Sequence, residues 1–245
     1  MNSLLQTHIQ LRSFEEKSSK KEAYFEEVYQ TGIQAKKVGV ERLLLHVSGS
    51  SFSQVMLSEQ QEKDLLCEYL PTLLSIGLEL MIDTWKAGVI RYALQAGIAG
   101  FYDVSSLKDP DLIELATSKA CDVIIPFDTP ELLIKPRLLY PDMQVISKAL
   151  AQRVHSLHKM GIKRVMVDPF GLSALFQPNP YKTWMDICRQ MDAFKEEGLE
   201  VVAPIMKGAS KPKKVAMMTM ALEKETHWLS FKDLVAIQEV LEAYN

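Results

Sequence analysis

Short apolar runs alternate with longer helical patterns along the whole chain. Between the runs, apolar residues recur at spacings of three and four, which predicts amphipathic helices. Strands that alternate with helices in this way indicate βα units and a parallel sheet. The predicted strands are His8–Leu11, Arg42–Val47, Leu78–Ile82, Ala99–Val104, Asp122–Pro126, Arg164–Val167, Glu200–Ile205 and Trp228–Phe231.

The stretch from Leu78 to Gly97 shows the repeating unit most clearly. The apolar run Leu78–Ile82 stops at Asp83 and Thr84, and a helical pattern follows at once. In parallel α/β proteins the carboxyl ends of the strands face the ligand. We therefore interpret Asp83 as the first residue of a functional site.

The number of strand–helix alternations predicts the fold class. Eight of them in 245 residues indicate an α/β protein, a single-domain (β/α)8 barrel of the TIM type that spans residues 1–245. The chain shows no internal repeat and no long linker that would divide it. The predicted helices cover approximately residues 18–38, 58–75, 143–160, 183–197, 214–225 and 232–244. Two more are predicted, one after Thr84 with Val89 to Gly97 on its apolar face and one that begins at Asp109.

Composition narrows the functional classes. Hydrophobic residues make up 47% and charged residues 24%, which is typical of globular proteins. The net charge of −3 gives no electrostatic reason to expect a nucleic-acid partner. We expect a cytoplasmic protein without a membrane segment, because no apolar run is long enough and no signal peptide is visible. The three cysteines lack metal-ligand spacing, so we expect reduced thiols and no protein-bound metal.

Ionisable residues occupy four of the predicted strand ends, namely Asp83, Asp103, Asp168 and Lys207. A closed barrel would bring them to one mouth. Any one of the aspartates could equally serve as a helix N-cap, and that alternative stays open for each. Together, carboxylates and an amine suit a flat heterocycle that carries an amino group, a ring N–H and a ring carbonyl. Each sheltered charge-assisted hydrogen bond would contribute about 1.5–3 kcal/mol.

Four segments carry a resemblance to a known family. MIDTWKAGVIRYALQAG resembles a strand with an Ile-Asp-Thr corner, and FYDVSSLKDPDL resembles the next strand, which has an Asn-Asp pair. KRVMVDPFG resembles an Asp-Pro-Gly strand, and VVAPIMK resembles a strand that ends in Ser-Arg-Lys. On these segments the chain resembles the pterin-binding barrels, and dihydropteroate synthase most of all.

The resemblance implies a set of pterin-binding residues. Carried over by position, they are Asp83, Tyr102, Asp103, Asp168 and Lys207. Tyr102 stands where the family has asparagine, and a hydroxyl cannot offer the donor and acceptor of an amide together. Lys211 is the alternative lysine. His46 lies at the register of a family aspartate, and we interpret it as a hydrogen-bonded interior histidine.

The chain departs from the family in the segments that would handle the second substrate. LRSFEEKSS and SGSSFSQ replace the family's first two loops, and the terminal Arg-x-His is absent. A pyrophosphate leaving group needs cations or helix N-termini. Ser50, Ser51 and Lys211 are the candidate anion-binding residues. Magnesium would enter only with a pyrophosphate substrate, and no catalytic residue is assigned.

Three functions remain open. The first is a dihydropteroate synthase-like transferase, which joins a dihydropterin methylene to p-aminobenzoate with loss of pyrophosphate. The second is a methyltransferase of the methyltetrahydrofolate–corrinoid type. The third is a non-catalytic protein that binds a pterin or serves as a partner subunit. The resemblance also implies a homodimer formed through the late helices.

Overall fold

The eight strands form a closed parallel barrel in which each strand pairs with the next in the chain and β8 pairs with β1. This confirms the predicted fold class. The structure is a computed structural model that describes residues 3–12, 19–47, 57–127, 142–171 and 179–244. The strands are β1 (Leu4–Gln10), β2 (Arg42–His46), β3 (Glu79–Asp83), β4 (Gly100–Tyr102), β5 (Asp122–Pro126), β6 (Arg164–Asp168), β7 (Glu200–Pro204) and β8 (Trp228–Phe231).

Helices on the outside of the barrel connect the strands. They are α1 (Ser19–Lys37), α2 (Glu59–Ser75), α3 (Ala87–Gln95), α4 (Pro110–Lys119), α5 (Met143–Lys159), α6 (Pro180–Arg189), α7 (Asp192–Glu196), α8 (Lys211–Glu223) and α9 (Leu234–Tyr244). A capping box is present at the start of α2, where Ser58 and Gln61 exchange side-chain and backbone hydrogen bonds. Asp109 caps α4, which begins with Pro110, a position where the missing N–H of proline has no helical partner to lose.

Three elements differ from the sequence prediction. Strand β1 begins at Leu4 rather than His8, and α8 begins at Lys211 rather than residue 214. The single helix predicted over residues 183–197 is two helices, α6 and α7. The chain turns between them, so that Cys188 at the end of α6 and Phe194 in α7 are both fully buried.

Residues that point into the barrel form layers along its axis. The first residues of five strands form the floor network, which consists of Arg42, Glu79, Asp122, Arg164 and Glu200. Above it lies an apolar plug, which consists of Leu44, Met81, Ile124, Met166, Val202 and Trp228. Above the plug, the carboxyl ends of the strands form the mouth. Outward-facing strand residues such as Leu45, Ile82 and Val167 pack against the helices in the larger hydrophobic core.

The cysteines divide between the core and the surface. Cys121 and Cys188 are buried, whereas Cys67 is exposed. Burial raises the pKa of Cys121 to about 11 and that of Cys188 to about 12. Both buried thiols are therefore protonated at neutral pH. Among the described residues, no helix has the length and apolar content that crossing a membrane requires.

Candidate functional site

Asp83 ends β3 at the barrel mouth, and its side chain is only 3% exposed. The carboxylate oxygen Oδ2 lies 2.5 Å from Nδ1 of His46, which ends the neighbouring strand β2. The two residues meet because β2 and β3 pair in register, with His46 opposite Asp83. The structure thus confirms that His46 is a hydrogen-bonded interior histidine, and it identifies Asp83 as its partner.

The hydrogen bonds continue from His46 into the two next strands. Nε2 of His46 lies 2.6 Å from Nδ1 of His8 in β1, and Nε2 of His8 lies 2.5 Å from the hydroxyl of Ser230 in β8. The Gln6 side-chain amide then donates to the Ser230 hydroxyl at 2.8 Å. A continuous row of hydrogen bonds therefore crosses β3, β2, β1 and β8.

The corner after β3 is held by a buried carboxylate. Glu62 of α2 is fully buried and accepts a hydrogen bond from the Thr84 hydroxyl at 2.8 Å. It also forms an ion pair with Lys86, whose ammonium donates to the carbonyl of Leu57 at 2.5 Å. Because a buried ion pair with satisfied hydrogen bonds resists displacement, this corner fixes the direction in which Asp83 points.

Tyr102 and Asp168 form a second contact across the mouth. The Tyr102 hydroxyl at the end of β4 donates to Oδ2 of Asp168 at the end of β6, at 3.2 Å. Oδ1 of Asp168 accepts the backbone N–H of Phe170 at 2.9 Å. Tyr102 also packs on the apolar plug. Its ring therefore spans the mouth between two strands that are not neighbours in the barrel.

Burial perturbs the acidity of both groups. It raises the pKa of Asp168 to about 6, although hydrogen bonds from Phe170, Tyr102 and Gly171 partly oppose the change. Burial and the charges of Asp168 and Asp83 raise the pKa of Tyr102 well above its usual value. At neutral pH, Asp168 is therefore an ionised acceptor and Tyr102 a neutral donor. Perturbed groups in a concave site are a common mark of function.

Asp103 has a different set of contacts. Its Oδ1 accepts the N–H of Ser105 at 2.9 Å, and its Oδ2 accepts the N–H of Leu107 at 2.6 Å and the Ser105 hydroxyl at 2.7 Å. Ser106 and Leu107 have positive φ angles of 58° and 57°, which are uncommon for residues other than glycine. Asp103 therefore stabilises a strained loop, and its role as a pterin ligand stays a prediction.

The predicted lysines lie outside this polar layer. Lys207 is exposed in the segment after β7, and Lys211 is exposed in the first turn of α8, where it forms an ion pair with Glu239 at 2.8 Å. Lys232, which sequence reasoning missed, follows β8 directly. Partial burial and repulsion from Lys207 and Arg12 lower the pKa of Lys232. Lys232, Lys207 and Arg12 are thus the three cations that share one side of the mouth.

Two further predictions depend on parts of the chain or on ions that the structure does not describe. Ser50 and Ser51 lie outside the described residues.

Within the described ranges there is no group of three or more His, Cys, Asp or Glu residues that could hold a metal ion. Magnesium prefers oxygen ligands, whereas His8 and His46 offer nitrogens that already bond to each other. The described residues do not fit a magnesium site, and magnesium stays a prediction tied to the substrate.

Comparison with protein families matches residues 18–242 to the family described as pterin binding enzyme. The match covers most of the chain. The protein belongs to the pterin-binding enzyme family. No curated protein matches the chain in sequence.

Solved structures of the family share this fold at low sequence identity. Dihydropteroate synthase from Anaplasma phagocytophilum, with bound 6-hydroxymethylpterin-monophosphate, superposes with a TM-score of 0.80 at 16% identity, covering 99% of this chain and 98% of that one. The Xanthomonas albilineans synthase in complex with 7,8-dihydropteroate gives 0.77 at 19% identity, with 99% and 92% covered. The Thermus thermophilus synthase in complex with 6HMPPP gives 0.74 at 20% identity, with 99% and 93% covered.

The structure therefore brings together some of the predicted site residues and separates others. Asp83, Tyr102 and Asp168 share the mouth, whereas Asp103 bonds to its own loop and Lys211 to α9. Sequence reasoning missed His8, Ser230 and Lys232. The available signal was the alternation in LQTHIQ, which places Gln6, His8 and Gln10 on the inward face of one strand.

Proposed function

We propose that this protein binds a reduced pterin at the barrel mouth and acts as a transferase of the dihydropteroate synthase type. In this reaction the nitrogen of an aryl amine such as p-aminobenzoate forms a bond to the methylene carbon of the pterin. The bond from that carbon to the pyrophosphate oxygen breaks, and the amine releases one proton. The protein would contribute mainly positioning and electrostatic stabilisation.

One observation carries this proposal: three polar side chains lie directly above an apolar plug. Asp83, Tyr102 and Asp168 end β3, β4 and β6 and point inward, and the carboxylates are almost completely buried. Both carboxylates already accept hydrogen bonds from the protein, Asp83 from His46 and Asp168 from Tyr102 and Phe170. Because each carboxylate oxygen has two lone pairs, a flat molecule with several N–H donors on one edge could add further hydrogen bonds while lying over the plug.

The pterin ring has the donors that such a site requires. Its amino group and adjacent ring N–H present two parallel donors, which match the two oxygens of one carboxylate. Asp168 is suited to this contact, because its carboxylate forms no ion pair within the described part of the chain. The Tyr102 hydroxyl, which donates to Asp168, could also accept from the ligand.

The cations on one side of the mouth support a pyrophosphate position. Arg12, Lys207 and Lys232 follow β1, β7 and β8, which are neighbours in the barrel. Burial, followed by repulsion from Lys207 and Arg12, lowers the pKa of Lys232, and a bound anion would favour its charged form. Since leaving-group charge develops as the carbon–oxygen bond breaks, cations at this position would favour transfer. They would replace the arginine and histidine that this chain lacks.

The test is calorimetric titration with 6-hydroxymethyl-7,8-dihydropterin pyrophosphate. We expect saturable binding by the wild-type protein and none by Asp83→Ala or Asp168→Ala. Asp192→Asn, which alters a carboxylate that is 69% exposed on α7, is the matched control and should bind normally. Unchanged binding by both alanine variants would overturn the site assignment.

Turnover is tested separately with p-aminobenzoate. Release of pyrophosphate with formation of dihydropteroate supports the transferase. Methyl transfer from methyltetrahydrofolate to cobalamin would instead support the methyltransferase of the corrinoid type. Pterin binding without either reaction would indicate a non-catalytic member of the family. Sedimentation of the same samples would test the predicted homodimer.

A further inference from the structure

The row of hydrogen bonds from Asp83 to Ser230 joins four strands and is not needed to close the barrel. His46 and His8 stack with nearly parallel rings, at an interplanar angle of 10° and a centroid distance of 4.9 Å. The His46 side chain is 15% exposed and that of Asp83 is 3% exposed, while Ser230 is 1% exposed. The row therefore begins in the buried wall at Ser230 and ends at the mouth.

The contacts determine where each proton lies. An ionised Asp83 can only accept, so Nδ1 of His46 carries a proton and Nε2 of the same ring is left as an acceptor in the neutral form. His8 must then donate from Nδ1, and its Nε2 accepts the proton of Ser230. Gln6 donates to the Ser230 oxygen, which leaves the serine proton for His8. Every donor in the row points towards Asp83.

The surroundings keep His8 neutral. Burial, followed by the effects of His46 and Lys232, lowers the pKa of His8 well below its usual value. A neutral His8 has only one N–H, which in this arrangement it donates to His46. Successive polarised hydrogen bonds would then strengthen the last donor, Nδ1 of His46.

We propose that His46, held by His8 and Ser230, is the positioning residue that fixes Asp83 as an oriented, ionised acceptor for the pterin. This inference rests on the proposed function, because it assigns the row a role in binding that ligand. At metal sites, a group that hydrogen-bonds to the second ring nitrogen of a histidine fixes the tautomer and the ring orientation of that histidine. Here the supported group is a carboxylate.

The row makes a prediction that does not depend on any ligand. In wild-type protein labelled with nitrogen-15 in histidine, Nδ1 of both His8 and His46 should carry a proton at pH 7. A solvated neutral imidazole prefers the tautomer that is protonated on Nε2. The exposed His155 therefore serves as the internal control. Protonation of His46 on Nε2 alone would overturn the row.

The binding test compares variants at three distances from Asp83. His46→Leu removes the donor and should weaken binding of the pterin pyrophosphate by about ten- to hundredfold. His46→Asn restores an N–H near the Nδ1 position and should recover most of that loss. His8→Leu and Ser230→Ala should have successively smaller effects, and His155→Gln should have none.

Thermal melting of each variant shows whether it is folded. Only variants that melt cooperatively enter the comparison of His46→Asn with His46→Leu, so a loss of affinity there reflects positioning and not misfolding. Equal affinity in these two variants and the wild type overturns the positioning role. Failure of the wild type to bind a pterin would instead overturn the proposed function, together with the role assigned to the row. Normal pterin binding by a wild type whose His8 or His46 lacks a proton on Nδ1 would overturn only the role assigned to the row.

Discussion

The two ends of the barrel both bury charged groups, but they do so in opposite ways. At the floor, Arg42 is fully buried, stacks 3.9 Å from the centroid of the Trp228 ring, and forms ion pairs with Glu79 and Asp122, each at 2.8 Å. Arg164 adds a second cation to Asp122, at 3.0 Å. Opposite charges therefore meet directly at the floor.

At the mouth, the carboxylates have different partners. Asp83 bonds to a histidine, and Asp168 bonds to a tyrosine hydroxyl and to backbone N–H groups. Asp168 is 6% exposed, and burial raises its pKa to about 6. No cation among the described residues forms an ion pair with it, so its charge lowers the stability of the folded state.

The comparison separates structural charge from functional charge. A network of paired charges holds strands in place and offers nothing to a ligand. Asp168, which bonds to a tyrosine hydroxyl and to backbone N–H groups, keeps its charge available to a ligand, and ligand binding would offset the cost in stability. Under the proposed function, the barrel would use one end for assembly and the other for recognition.

The largest expected effect is loss of stability from the floor. Arg42→Met keeps the side-chain volume but leaves Glu79 and Asp122 without their shared cation. Breaking a buried ion pair in this way costs about 3–5 kcal/mol in the free energy of unfolding. Urea denaturation measures it, with Arg189→Met as the control, because Arg189 is 58% exposed and its loss should cost less than about 1 kcal/mol. A variant as stable as the wild type would show that the floor network is dispensable.

The next effect has the opposite sign. Asp168→Asn keeps the shape of the side chain but removes the buried charge. The pKa of about 6 in the folded state lies above the ordinary value of 3.8, so ionisation destabilises the fold as pH rises between these values. At pH 7 the variant should be more stable by up to about 3 kcal/mol. Denaturation at pH 7 and pH 4 measures this, and the gain should nearly vanish at pH 4.

The same carboxylate predicts a pH dependence of pterin binding. Asp168 must be ionised to accept the donors of the ligand, and it becomes protonated as pH falls through about 6. Affinity should then decrease by about tenfold, or 1.4 kcal/mol, for each pH unit below that value. Titrations between pH 5 and pH 8 measure it. A flat profile in wild type, with binding intact at pH 5, would contradict the role of Asp168.

The sequence predicts the architecture well, because the architecture depends on local patterns. Apolar runs mark the strands, and strand ends such as Asp83 and Asp168 are visible as an abrupt change to polar residues. For β1 the predicted start at His8 misses the first four residues of the strand, because its inward face carries Gln6, His8 and Gln10 instead of apolar residues.

Contacts that depend on closure of the barrel are not visible in the sequence. His8 and Ser230 are separated by 222 positions, and they meet only because β8 pairs with β1. Lys232 was missed for the same reason. In contrast, the contacts of Asp103 are local, within four residues. The N-cap alternative is wrong for Asp103, because Asp109 caps the following helix α4.

The smallest expected effect distinguishes two exposed lysines at the mouth. Lys211 is 59% exposed and already forms an ion pair with Glu239, so Lys211→Ala should leave both stability and affinity for inorganic pyrophosphate indistinguishable from those of the wild type. Lys207 lies near Lys232 and Arg12, and no ion pair involves it in the described part of the chain. Lys207→Ala should therefore weaken pyrophosphate binding by about three- to fivefold, or up to 1 kcal/mol.

Salt provides the control for this difference. Attraction between exposed charges is screened over about 8 Å at physiological ionic strength, so raising the salt concentration should reduce the effect of Lys207→Ala and leave Lys211→Ala unchanged. Because neither lysine contributes to the core, both variants should have the same melting temperature as the wild type. Equal losses in the two variants would place the anion between α8 and the mouth rather than beside Lys232, and would favour Lys211 as the lysine that binds the ligand.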